Sequence, residues 1–88
     1  MDEYVRIEEL PSGNGYVDIA FLPKAYSNNP AMVIELKWNK TSQTALDQIY
    51  NKKYPSVFEN YRGDVLLIGI NYDTSSKQHT CKIERKGI

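Results

Sequence analysis

Three charged side chains interrupt stretches that are otherwise apolar, and their types suit one kind of chemistry. Asp18 lies within Tyr16-Val17-Asp18-Ile19-Ala20-Phe21-Leu22, and Glu35 and Lys37 lie within Ala31-Met32-Val33-Ile34-Glu35-Leu36-Lys37-Trp38. Both stretches read as strands, in which side chains two apart point the same way. Glu35 and Lys37 then share a face with Ala31 and Val33. The opposite face, Met32, Ile34, Leu36 and Trp38, is wholly apolar, and Leu36 is expected to anchor it in the core. Asp18 falls on the face of its own strand opposite Val17 and Ile19. If the two strands pair as a meander, Asp18 lies across from Glu35.

Two carboxylates that close repel each other unless a cation sits between them. A hard divalent ion such as Mg²⁺ or Mn²⁺ takes oxygen ligands, commonly one or two carboxylates plus waters and phosphate oxygens. Asp18 and Glu35 are the candidate metal ligands, and the backbone carbonyl of Leu36 is a further oxygen. Lys37 would face the attacking water or the scissile phosphate and stabilise the charge that develops there. The reaction such a set serves is metal-assisted phosphodiester hydrolysis. The plain alternative is a solvated Glu–Lys pair on an exposed strand face, which stabilises little. The apolar setting of each charged residue favours chemistry over that alternative.

The elements that must position these residues follow from the pattern. Residues 4–10 are weakly strand-like and end at Pro11, and Ser12-Gly13-Asn14-Gly15 is a turn signal. Residues 16–22 form the second strand, closed by Pro23, and residues 31–38 the third. Asn39-Lys40-Thr41-Ser42 is a loop in which Thr41 or Ser42 is placed to cap a helix. A helix over 44–54 follows from the helical spacing of Ala45, Leu46, Ile49, Tyr50 and Tyr54, with a short continuation through Val57, Phe58 and Tyr61 to Gly63. Residues 64–72 hold the run Val65-Leu66-Leu67-Ile68-Gly69-Ile70, expected to be a central strand buried on both faces. After the turn at residues 73–77, residues 78–85 read as an edge strand. The order predicts an α/β fold: a mixed central sheet with one crossover helix.

Bulk properties bound the function. Eighty-eight residues make one small domain at most. The hydrophobic (41%) and charged (25%) fractions are those of an ordinary globular chain, so disorder and membrane-span classes are set aside. Eleven Lys+Arg balance eleven Asp+Glu, which argues against a dedicated high-affinity DNA-binding module. Any basic footprint must be local, at residues 51–53 or in the tail with Lys82, Arg85 and Lys86. A single cysteine, Cys81, precludes an internal disulfide, and no apolar run approaches membrane-spanning length. A cytoplasmic, non-membrane protein is expected. His79 lacks a nearby partner ligand. Cys81 is read as a small buried hydrophobe, and Trp38 as core rather than a base-stacking platform.

Taken together, Gly15-Tyr16-Val17-Asp18-Ile19-Ala20, Val33-Ile34-Glu35-Leu36-Lys37, Ala45-Leu46-Asp47-Gln48-Ile49 with Lys53-Tyr54, and Val65-Leu66-Leu67-Ile68-Gly69-Ile70 resemble the PD-(D/E)XK nuclease superfamily. They look closest to the branch found C-terminal to AAA-ATPase-like domains. The resemblance implies a restriction-endonuclease-like core, Mg²⁺ or Mn²⁺ on Asp18 and Glu35, Lys37 as the catalytic lysine, DNA as substrate and an AAA-ATPase-like partner domain. It also implies an active-site role for Gln48 on the helix, where an exposed surface glutamine is the alternative. Tyr54 matches a frequent aromatic position, though its spacing fits core packing. The chain departs from the pattern at Val17, where relatives often carry proline. It also lacks the helix that precedes the first strand in the family. A domain fragment, a role for Glu8 and Glu9 near the site, or a second chain over the bare sheet face would each account for that. The expectation is a homodimer that acts as a metal-dependent nuclease on DNA; the alternative is an inactive module of the same fold that binds protein or DNA.

Overall fold

The computed structural model describes residues 4–12, 15–24, 29–51 and 63–86. Five strands and one helix follow in the expected order: β1 (Tyr4–Ser12), β2 (Gly15–Pro23), β3 (Ala31–Trp38), α1 (Ser42–Asn51), β4 (Val65–Asp73) and β5 (Gln78–Lys86). The strands form one sheet in chain order, β1-β2-β3-β4-β5. The first three make an antiparallel meander, β3 and β4 are parallel, and β4 and β5 form an antiparallel hairpin. The parallel pair needs a crossover, which the segment containing α1 supplies. The fold is thus the mixed α/β sheet read from the sequence.

β1 continues past Pro11, which pairs with Tyr16, to Ser12. β1 is an edge strand, the place in a sheet where proline is tolerated, so Pro11 need not end it. The helix starts earlier than its apolar spacing suggests, because Thr41 caps it. Thr41 Oγ1 accepts from the Thr44 N–H at 2.9 Å, and the Thr41 carbonyl accepts from the Ala45 N–H at 3.1 Å. Tyr54, Val57, Phe58 and Tyr61 fall outside the described residues, as do Gly13 and Asn14 of the first turn.

The core lies on the other face of β3 from the one its hydrophobicity suggests. Ala20, Ala31, Val33, Val65 and Leu67 form a buried cluster with Leu46 and Ile49 of α1. Small side chains decide this. A Cβ on Gly69 would lie 2.5 Å from the Ser42 carbonyl oxygen and 2.6 Å from the Leu46 nitrogen. The helix therefore rests on β4 at glycine, flanked by Ala31 and Val33, and only this face lets it approach so closely. Leu36 points away from that cluster and is half-buried, and Trp38 beyond it is 59% exposed. β4 is central and sealed more fully on the helix side; on the other, Ile68 is buried between half-buried Leu66 and Ile70. β5 is exposed along its length, as an edge strand, and Cys81 on it is exposed rather than buried.

Candidate functional site

The register between β2 and β3 covers Phe21↔Met32, Ala20↔Val33 and Ile19↔Ile34, and goes no further. From Val17 back to Gly15, β2 pairs with β1 alone. The two strands part at the position where Asp18 would face Glu35. There the ladder is replaced by a side chain: Asp18 Oδ2 accepts from the Leu36 N–H at 2.9 Å. An acidic residue at this point both caps the parted strand and fixes its own carboxylate beside the backbone of β3.

Glu35 is 2% exposed, and its Oε2 is sealed from solvent. Its register partner on β4 is Gly69, the residue on which α1 rests. The first turns of the helix therefore form the roof over Glu35. Lys37 is half-buried one register step on, opposite Asn71. Asn71 is itself 4% exposed and accepts the Lys40 N–H through Oδ1 at 2.9 Å. Asn39 takes a left-handed conformation (φ 55°), which asparagine tolerates better than most residues. Its N–H donates to the Tyr72 carbonyl at 2.8 Å, and its Oδ1 accepts from the N–H and hydroxyl of Thr74. These bonds pin the β3–α1 loop to the end of β4 and so hold the strand end that carries Glu35 and Lys37.

Two cavities open beside this strand end. One, of about 770 Å³, is lined by Arg6, Glu8, Asp18, Ile19, Leu36 and Trp38. The other, of about 400 Å³, is lined by Leu36, Lys37, Trp38, Ile70, Tyr72 and His79. The structure thus brings Asp18 to the backbone next to Glu35, and puts Lys37 on the adjoining cavity. Gln48 is half-buried on α1 and lines neither cavity. Glu8 lines the same cavity as Asp18, with Ile19 as its register partner, and forms an ion pair with Arg6 at 2.7 Å, whereas the Glu9 side chain lies outside the described set. Sequence reasoning passed over Asn71. The one signal it offered was an amide in the otherwise apolar run after Gly69.

The residues present suit a hard cation. Asp18 and Glu35 supply carboxylate oxygens. In a strand the N–H and carbonyl of one residue face the same side, so the Leu36 carbonyl faces the side on which Asp18 sits. Among the described residues no three His, Cys, Asp or Glu side chains converge, so protein oxygens would fill only part of a coordination sphere. Mg²⁺ characteristically keeps several waters, and that requirement is compatible with a two-carboxylate site.

A family model described as the PD-(D/E)XK nuclease superfamily matches residues 1–82. With that span, the chain belongs to the PD-(D/E)XK nuclease superfamily. No match was found among curated proteins or among solved structures. No described helix is long and apolar enough to cross a membrane.

Proposed function

We propose that the chain is a metal-dependent nuclease domain that hydrolyses phosphodiester bonds in DNA at Asp18, Glu35 and Lys37. The observation that carries this reading is the parting of β2 and β3 at Asp18, whose carboxylate lies against the Leu36 backbone beside buried Glu35. Asp18, Glu35 and the Leu36 carbonyl would hold Mg²⁺ or Mn²⁺. Such an ion, when bound, polarises the phosphoryl oxygen and lowers the pKa of a bound water. Asp18 is held ready by its bond to the Leu36 N–H. Glu35 is fixed under the roof of α1, where little solvent competes for its charge. Lys37, on the neighbouring cavity, places a cation beside the phosphate and stabilises the charge that builds on it. Gln48 would act from α1, as the family pattern suggests. A second chain, either another copy or an AAA-ATPase-like partner, would add the cover that the open sheet face lacks among the described elements.

One observation favours a second reading. Asp18 is already engaged by a backbone donor and Glu35 is almost wholly enclosed, an arrangement that also suits an inactive module of the same fold. Metal titration by calorimetry and thermal shift separates the two. The nuclease reading expects Mg²⁺ or Mn²⁺ to raise the melting temperature of the wild type and not of Asp18→Ala or Glu35→Ala. It also expects plasmid nicking that Lys37→Ala reduces by at least about a hundredfold, the scale on which a positioned charge-stabilising group acts. Equal metal response in wild type and both carboxylate variants would remove the site assignment. Metal binding without nicking would leave the inactive module.

A further inference from the structure

Trp38, Tyr72 and His79 form one row across the sheet. Trp38 is the register partner of Tyr72 on β4, and Tyr72 is the partner of His79 on β5. Residues in register share a face, and neighbouring strands lie about 4.8 Å apart. The Tyr72 and His79 rings are in contact, with centroids 4.6 Å apart and planes inclined by 42°. Trp38, expected from the sequence to be core, is instead 59% exposed. Together these three residues line the smaller cavity with Leu36, Lys37 and Ile70. Trp38 and Leu36 also line the larger cavity, the one that contains Asp18. The indole and Leu36 therefore border both cavities.

We propose that this row is a stacking platform for the bases of an unpaired nucleic-acid strand, on the sheet face opposite the Glu35 and Lys37 side chains and bordering the cavity that contains Asp18. The inference rests on the nuclease reading for its choice of ligand. Three observations select that ligand over an apolar protein surface. The row is aromatic rather than aliphatic, and flat rings are what bases stack on. Lysines flank the row along the chain: Lys37 borders the cavity from the strand position before Trp38, Lys40 follows Trp38 by two residues, and Lys77 precedes His79 by two. Asp73, the acid at this end, is turned into its own loop by three hydrogen bonds from Ser75 and Ser76. Phosphates would be met by lysines and bases by rings. A base inside a duplex offers only its edges, so face-on stacking selects unpaired strands, frayed ends or flaps.

Trp38 is the only tryptophan, so its emission reports on the platform directly. The full chain is titrated in EDTA with a short oligothymidylate, a blunt duplex and inorganic polyphosphate. Oligothymidylate should quench the emission saturably, the duplex less, and polyphosphate not at all. In anisotropy with labelled oligothymidylate, Trp38→Leu should bind between about fivefold and a hundredfold more weakly, the range for loss of one stacked base. Trp38→Phe should retain most of the affinity. Tyr72→Leu, at a second position of the row, should weaken binding in the same direction. Unchanged affinity in both leucine variants overturns the platform. So does a tryptophan emission that shifts on dilution without nucleic acid, together with a dimer in sedimentation, since a second copy would then occupy the row. Asp18→Ala separates this inference from the nuclease reading. It should abolish the metal response yet leave quenching intact, so either claim can fail without the other.

Discussion

The two faces of this sheet differ in what they do with side-chain size. The face under α1 is built from small or medium residues, Ala20, Ala31, Val33, Gly69, and is closed tightly enough to seal in Glu35 and Asn71. The other face carries the larger apolar groups, Met32, Ile34, Leu36, Trp38, Ile70 and Tyr72, and leaves most of them half-buried or exposed. Apolar mass therefore does not locate the core here. The core forms where a helix can come close, and closeness requires glycine and alanine. The larger surface is left for something else to touch.

Truncation on each face should separate them most clearly. Leu67 is fully buried under α1, so Leu67→Ala should lose about 2–5 kcal/mol of stability through transfer and cavity terms together. Ile70, three residues on and facing the other way, is half-buried and leaves no closed cavity. Ile70→Ala should lose about 1 kcal/mol, in proportion to the area it removes from water. Urea denaturation of the two variants measures both. Equal losses would mean that the open face is buried in solution under another surface, and the contrast between faces would collapse.

The next effect tests the closeness itself. Gly69→Ala puts a methyl against two backbone atoms, at 2.5 Å from the Ser42 oxygen and 2.6 Å from the Leu46 nitrogen. Backbone cannot rotate away as a flexible side chain can, so α1 must lift. The expected loss is about 1–3 kcal/mol, typical of overpacking. In a domain of this size that lowers the melting temperature by about 4–8 °C per kcal/mol. At an open glycine in a strand the same change would stabilise, by restricting the unfolded chain. A neutral or stabilising outcome would show that α1 does not rest on β4 at this point. Because Gly69 is the register partner of Glu35, the lift should also expose that carboxylate, and the metal response should fall with it.

These contrasts explain what the sequence made legible. Element order and strand pairing followed from alternation and turn residues, because those signals are local: Thr41 before the helix, Ser12 to Gly15 between β1 and β2, residues 73–77 between β4 and β5. The pair Glu35 and Lys37 followed from the period of a strand. The side of the sheet that becomes core did not follow, since it depends on which face accepts a helix folded from a later segment. Gly69 held that information, but only as one residue of an apolar run. Asn71 was hidden for a similar reason: its value lies in the Lys40 N–H it receives, a partner 31 positions away. The parting of β2 from β3 at Asp18 is also non-local, although the acid that caps it was plain.

The smallest expected effect lies at the end of the sheet that both faces share. Asp73 closes the β4–β5 turn: its Oδ1 accepts from the Ser75 hydroxyl at 2.7 Å, the Ser75 N–H at 2.9 Å and the Ser76 N–H at 3.2 Å. The Ser75 hydroxyl first, then the two backbone donors, hold its carboxyl below the ordinary aspartate value. A depressed folded pKa contributes stability that is fully present above the unfolded value of about 3.9 and is lost as pH falls through the folded one. The loss therefore falls in strongly acidic solution, and nothing changes near neutrality. Asp73→Asn keeps an acceptor for the turn but cannot titrate. Its urea midpoint should lie slightly below wild type at neutral pH, and the gap should close on acidification as the wild type gives up the contribution of its charge. A gap independent of pH would mean that the charge contributes nothing and that the acceptor alone holds the turn. The readout reaches the site as well, because Thr74 in this turn supplies both donors that hold Asn39, and Asn39 closes the loop after Glu35 and Lys37.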